Sequence, residues 1–139
     1  FLVEDVDRLA DRLRLANAER SRMAGAVLAA ADFAGGDASA AADRRRVWKH
    51  GEAARDGLLL AWAEAGAPSD DATWRARLAA IEGFAPRFPI AGRDLLARGI
   101  AAGPDVGRLL ALLERRWVES DFSLGREELL AALPAPPTP

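Results

Sequence analysis

The run Gly103-Pro104-Asp105-Val106-Gly107-Arg108-Leu109-Leu110-Ala111-Leu112-Leu113-Glu114-Arg115-Arg116-Trp117-Val118-Glu119 carries the clearest period in the chain. Val106, Leu109, Leu110, Leu113 and Trp117 recur at three- and four-residue steps, which lines them along one face of an α-helix. The start is marked twice. Gly103 turns the chain, and Pro104 suits the first helical position, where a missing N–H has no intrahelical partner to lose. Asp105 then places a negative charge in the first turn, where the helix dipole favours it.

Outward from this stretch the composition repeats the message. Ala supplies 32 of 139 residues, Tyr and Cys are absent, and Thr occurs only at Thr73 and Thr138. Ala, Leu, Arg and Glu are strong helix formers, and no apolar-polar alternation offers a strand. The expected fold is all-α, a compact bundle of about seven or eight helices in two packed subdomains with no sheet.

Upstream, Val6, Leu9, Leu13 and Ala16 stripe a helix over 2–15. Asn17 is an N-cap candidate for a helix over 18–32 that buries Met23, Ala26, Val27 and Ala30. A third helix runs from near Ser39 to Lys49. A fourth, over 52–65, turns Leu58, Ala61, Trp62 and Ala65 inward. Asp70 or Asp71 caps a fifth, over 72–82, with Trp74, Leu78 and Ile81 inside. Pro86 and Pro89 exclude regular helix over 83–90, so that segment reads as an ordered linker packed across helices. A short helix over 93–98 closes at Gly99, and Ser123 is the cap expected for a last helix over 124–133. The domain reading is a helical body over 1–85, a smaller helical tail over 86–133 and a disordered Pro-rich end over 134–139.

Several functions are excluded early. Without Cys there are no disulfides, thiolate nucleophiles or sulfur-held metals, and His50 is the sole histidine. The longest apolar run, Leu58-Leu59-Leu60-Ala61-Trp62-Ala63, is far too short to cross a bilayer. No secretory signal is visible, and a chain starting at Phe1 reads as an excised piece of a longer, cytoplasmic protein. Ser21, Ser39, Ser69, Ser120 and Ser123 lie in no nucleophile elbow, and no Gly-rich nucleotide loop occurs. His50 reads as a helix-end residue and Asp70-Asp71 as a cap rather than a magnesium site. Asp94 and Asp121 have no carboxylate partner at catalytic spacing. The four tryptophans suit core anchors, with base-stacking platforms as the other reading. No residue set here runs a reaction by itself, so this chain is not expected to be an enzyme.

The formal net charge of -2 hides an uneven distribution. Residues 72–116 hold eight arginines against four carboxylates: Arg75, Arg77, Arg87, Arg93, Arg98, Arg108, Arg115 and Arg116. A basic zone punctuated by glycines fits a clamp on a phosphate backbone. The turn entering the Pro104 helix adds free backbone N–H groups. The same residues equally fit a solvated basic face with ordinary helix punctuation.

One resemblance goes beyond periodicity. Phe88-Pro89-Ile90-Ala91-Gly92-Arg93-Asp94-Leu95-Leu96-Ala97-Arg98-Gly99-Ile100 continues into Gly103-Pro104-Asp105-Val106-Gly107-Arg108-Leu109-Leu110, then Leu113-Glu114 and Trp117-Val118. This resembles the C-terminal body and tail of bacterial CCA tRNA nucleotidyltransferases and poly(A) polymerases. Upstream, Leu13-Arg14-Leu15-Ala16-Asn17-Ala18-Glu19-Arg20 is similar to a family block with Ser at the place of Ala16. Val47-Trp48-Lys49-His50-Gly51 falls at another family step. Asp121-Phe122 with Arg126, Glu127, Leu129 and Leu130 resembles the closing helix. The likeness spans 13–133.

The resemblance implies an N-terminal polymerase head whose paired aspartates hold magnesium, with a neck that selects CTP and ATP. It implies all-helical body and tail domains that hold tRNA. None of the head's signatures occurs in this chain, so the implied role is to hold the acceptor arm and elbow of tRNA for a head supplied elsewhere. No DNA or membrane partner is implied. Within that reading Arg87, Arg93, Arg98 and Arg108 are the expected backbone contacts, with the turn at Gly103 as an anion site. The alternative is a helical protein-interaction or scaffold domain without substantial RNA contact.

Overall fold

The computed structural model describes residues 2–133; the expected Pro-rich end, 134–139, lies outside the described residues. Among the described residues there are eight α-helices and no strand: α1 Val3–Leu13, α2 Asn17–Ala34, α3 Ala40–His50, α4 Ala53–Glu64, α5 Ala72–Ile81, α6 Gly92–Ala97, α7 Pro104–Glu119 and α8 Arg126–Ala131. The fold is all-α, as the composition and period imply. No helix among the described residues is long and apolar enough to cross a membrane. The chain divides into two compact units, Phe1–Ala85 and Pro86–Pro139.

The first unit is built on the crossing of α2 with α4. Ala29, Ala30 and Phe33 of α2 meet Ala54, Leu58 and Ala61 of α4, and Ile81 of α5 completes the cluster. The approach is close because Gly57 has no side chain. A Cβ there would lie 2.3 Å from Ala29 Cβ and 2.9 Å from the Ala30 backbone nitrogen. A mid-helix glycine loses about 1 kcal/mol of propensity against Ala, and here the backbone contact it permits offsets that loss. Trp62 and Trp74 stack with ring centres 6.2 Å apart, and Trp62 Nε1 donates to the Pro68 carbonyl. These two rings are packing anchors.

The second unit gathers Ile90, Leu95, Leu113, Trp117, Leu129 and Leu130 into its interior. Phe88 and Phe122 lie against Trp117, at 5.5 Å and, edge-on, 4.9 Å between ring centres. Phe88 and Ile90 thus tie the proline segment down within this unit. Asp121 and Phe122 leave α7 with positive φ, 55° and 62°, a conformation uncommon outside glycine. The Phe122 N–H returns to the Trp117 carbonyl at 2.9 Å.

The helix caps depart from the sequence reading at two places. Asn17 is the first residue inside α2 rather than its cap. The Ala16 N–H donates to the Glu19 carboxylate at 2.8 Å, so a side chain one turn ahead holds the start. Likewise α8 begins at Arg126, held by a 2.7 Å bond from the Gly125 N–H to Glu128, while Ser123 Oγ donates to the Ser120 carbonyl. In both cases a glutamate three residues on outcompetes the small polar residue. Leu13 also departs from its stripe: it is 63% exposed, because α1 buries only Val6 and Ala10 fully.

Candidate nucleic-acid interface

The second unit places the turn between α6 and α7 as a shaped backbone feature. Asp94 accepts from the Ala91 N–H at 2.8 Å, fixing the start of α6. Its other oxygen accepts from Arg126 at 2.7 Å, tying α6 to α8. The Arg126 guanidinium, and after it the Ala91 N–H, hold the Asp94 carboxyl below the usual carboxylate range. The cation it pairs with lies 32 residues away in sequence, on α8.

The end of α6 is a paired-bond glycine stop. The Ile100 N–H reaches the Leu95 carbonyl and the Gly99 N–H the Leu96 carbonyl, at 3.2 and 3.0 Å, with Gly99 at φ 86°. Gly103 then opens α7 at φ 152°, ψ −168°, with Pro104 at the first helical position and no side chain capping the exposed N–H groups. Gly92 lies against Val106, with 3.4 Å between its virtual Cβ and the Val106 methyl. The first residue of α6 therefore packs on the first turn of α7.

Arg93 lies in the first turn of α6, Arg98 at its end and Arg108 early in α7; these three and Arg87, in the segment before α6, are all exposed. Arg108 pairs with Asp105 at 3.2 Å and Arg98 with Glu127 at 3.6 Å, all four side chains largely in water. Such pairs are worth about 0–1 kcal/mol, so they exchange readily for a stronger anion. Arg115 and Arg116 are also exposed, with Glu119 4.0 Å from Arg115.

Arg77, from the same basic stretch, has another use. It is 7% exposed and donates Nε and Nη2 to the two oxygens of fully buried Asp43, at 2.8 and 2.9 Å. Nη2 also reaches the Phe33 carbonyl at 3.0 Å. Arg46 closes the group, with Nη1 2.7 Å from Asp43 Oδ1. The Phe33 ring lies against both guanidiniums, and Trp74 lies 4.7 Å from that of Arg77.

Beside this cluster Asp32 gathers Lys49 at 2.7 Å, His50 Nε2 at 2.8 Å and Arg46 at 3.4 Å. Lys49 first, then His50, hold its carboxyl far below the usual range. His50 is the last residue of α3, and Asp71 caps α5 through the Trp74 N–H. The described residues hold no group of three or more His, Asp or Glu side chains placed to bind a metal ion.

No family model matches the chain, and no solved structure matches it. Over 48 residues the chain is 38% identical to a zebrafish (Danio rerio) protein named CCA tRNA nucleotidyltransferase 1, mitochondrial, which is 34% of this chain and 11% of that protein. The human (Homo sapiens) protein of the same name is 37% identical over 46 residues, 33% of this chain and 11% of its own length. The match thus covers about a tenth of the length of these relatives, and it supports a relationship to CCA-adding enzymes.

Proposed function

We propose that this chain is the tRNA-holding body and tail region of an enzyme of the bacterial type that adds CCA, or A, to RNA 3′ ends. The observation that carries the reading is the similarity to proteins named for CCA addition to tRNA. The exposed arginines of α6, of the start of α7 and of the segment before them agree with it. In this reading the nucleotidyl transfer, with its magnesium and CTP or ATP, belongs to a polymerase head in another part of the parent protein. No step of that chemistry is assigned to residues of this chain.

What the chain contributes is position. A tRNA elbow is a rigid shape with a regular phosphate ladder, read by Arg contacts and backbone N–H groups rather than by base sequence. Arg87, Arg93, Arg98 and Arg108 supply the side-chain contacts, and the uncapped start of α7 at Gly103 supplies N–H donors. Fixing the elbow sets the distance from the 3′ end to the site of reaction, and positioning alone removes several kcal/mol from a bimolecular barrier.

Fluorescent tRNA titrated against the chain from about 50 to 200 mM salt, beside a duplex DNA of equal length, tests the reading. Saturable, tRNA-preferring binding that weakens steeply with salt and falls in Arg93→Ala is the expected result. Equal affinity for both nucleic acids, or no binding at the lowest salt, overturns the RNA-holding role and favours a helical interaction domain.

A further inference from the structure

One face of α7 is left unused by the packing of its own unit. Leu113 and Trp117 are buried, with Phe88 and Phe122 against the Trp117 ring. On the opposite side Arg108, Leu112 and Arg115 follow one another at steps of four and three residues, so they form one row along the helix. Arg116, one turn beyond Leu112, flanks the row, and all four residues are exposed. We propose that this row is a docking face for double-helical RNA, with Arg108, Arg115 and Arg116 on phosphates and Leu112 against the sugars of the minor groove. The inference rests on the RNA-holding reading above; it adds a surface, new residues and a preference for duplex RNA.

The charge of the row is unbalanced at its centre. Asp105 and Glu119 stand at the two ends, 3.2 Å from Arg108 and 4.0 Å from Arg115, with every one of these side chains largely in water. The acid between them is Glu114, half-buried and two residues from Leu112, a spacing that faces away from the row. Arg116 pairs with no carboxylate among the described residues. Three guanidiniums thus surround one leucine with no acid in their midst, an arrangement complementary to a polyanion.

Two further residues are unexplained by folding. Leu112 is 45% exposed on the side of the helix where an amphipathic pattern calls for polar residues. Gly107, next to Arg108, sits inside α7, where glycine weakens a helix. At Gly57 the contact with Ala29 accounts for such a residue, whereas nothing lies within 4 Å of the place a Gly107 Cβ would take. Close approach of a strand from outside gives the missing side chain a use.

Shape selects the form of the nucleic acid. An α-helix is about 10–12 Å across, too broad for the minor groove of B-form DNA at about 6 Å. The minor groove of A-form RNA is wide, shallow and lined with 2′-hydroxyls, so a helix face can lie along it. Arg108 and Arg115, about 10 Å apart along the axis, then reach separate phosphates, and Leu112 meets the riboses between them. The major groove of DNA does admit a helix, which makes duplex DNA the decisive competitor.

The test titrates the whole chain with a fluorescent RNA duplex of about 16 base pairs, with the DNA duplex of the same sequence and with tRNA, at several salt concentrations. Duplex RNA should bind more tightly than duplex DNA. Leu112→Glu places a carboxylate among the arginines at an exposed helical position; it should weaken RNA binding about tenfold with helicity and urea midpoint unchanged. Arg115→Ala should lower the salt slope of log affinity by about 1. Gly107→Ala should raise the unfolding midpoint and still weaken RNA binding, a split that a purely structural role does not produce. Arg12→Ala, at an exposed arginine of α1, is the charge-matched control and should leave binding unchanged.

Equal affinity for the two duplexes overturns the docking face, as does duplex RNA binding that Leu112→Glu and Arg115→Ala leave intact. If tRNA binding in that case still falls in Arg93→Ala, the RNA-holding reading stands without this face. Absence of any tRNA binding overturns both.

Discussion

Arg77 and Arg93 come from one basic stretch of sequence and serve different ends. In the first unit Arg77 and Arg46 are inside, sharing Asp43 and bracketing the Phe33 ring. In the second unit Arg87, Arg93, Arg98 and Arg108 stand in water, with carboxylate partners at surface distances or none among the described residues. A buried guanidinium is tolerated only where its donors and charge are met, so the first group is structural by necessity. An exposed one contributes little to folding and stays available to a ligand. Arginine content therefore says little about RNA contact until burial is known.

The largest expected effect falls on the structural side. Asp43→Ala leaves two guanidiniums buried around an apolar methyl and should cost about 3–5 kcal/mol, read by urea unfolding followed through tryptophan fluorescence. A loss below about 1 kcal/mol would mean that solvent satisfies both arginines, and the contrast between the units would collapse. Next is Gly57→Ala. Its Cβ would collide with Ala29 and with the backbone of Ala30, forcing α2 and α4 apart at a cost of about 1–3 kcal/mol, offset in part by helix propensity. Gly51→Ala changes a glycine with no neighbour within 4 Å. It isolates strain at positive φ from collision and is the control.

Much of the helical pattern was readable because it depends on local rules. Pro104 and the stripe to Trp117 delimit α7, and Gly99 at the end of α6 and Ser39 before α3 take the expected places. What the sequence hid was long-range. Asp43 and Arg46 are three residues apart on one helix, a spacing that signals a pair, but Arg77 reaches Asp43 from 34 residues away. Arg77 falls three residues after Trp74 and four before Ile81, on the buried face of α5, which sets it apart from Arg75 but gives no sign of its partner. The same holds for Asp94 and Arg126, and for Lys49 and His50 gathered on Asp32. Capping failed where two local signals competed, with Glu19 and Glu128 prevailing over Asn17 and Ser123. For the interface, exposure of all four candidate arginines follows from their absence from any apolar stripe.

Asp32 sharpens the contrast at low pH. Its carboxyl is held far below the usual range in the folded chain by Lys49, His50 and Arg46, against about 3.9 when unfolded. A depressed folded value gives stability that is fully present above the unfolded value and disappears as pH falls through the folded one. Unfolding free energy should therefore decline from about pH 4 downward. Asp32→Asn should flatten that part of the decline while lowering stability at neutral pH. An acid profile identical to that of the original chain would show that Asp32 is screened rather than paired.

The smallest stability change, and the most telling, belongs to Arg108. Its pair with Asp105 joins two side chains about three-quarters exposed, so Arg108→Ala should alter unfolding by no more than about 0.5 kcal/mol. If the residue grips a phosphate, the same change should weaken tRNA binding across sequences alike and lower the salt slope of log affinity by about 1. Asp105→Ala should act in the opposite sense, since it removes the carboxylate that competes with phosphate for the guanidinium. The two variants share a lost ion pair and differ in what is left for RNA. A merely structural pair predicts equal, small effects of both on stability and none on binding. Opposite effects on tRNA affinity at unchanged stability are what an arginine held ready at the surface requires, and they cannot arise from the kind of role Arg77 plays.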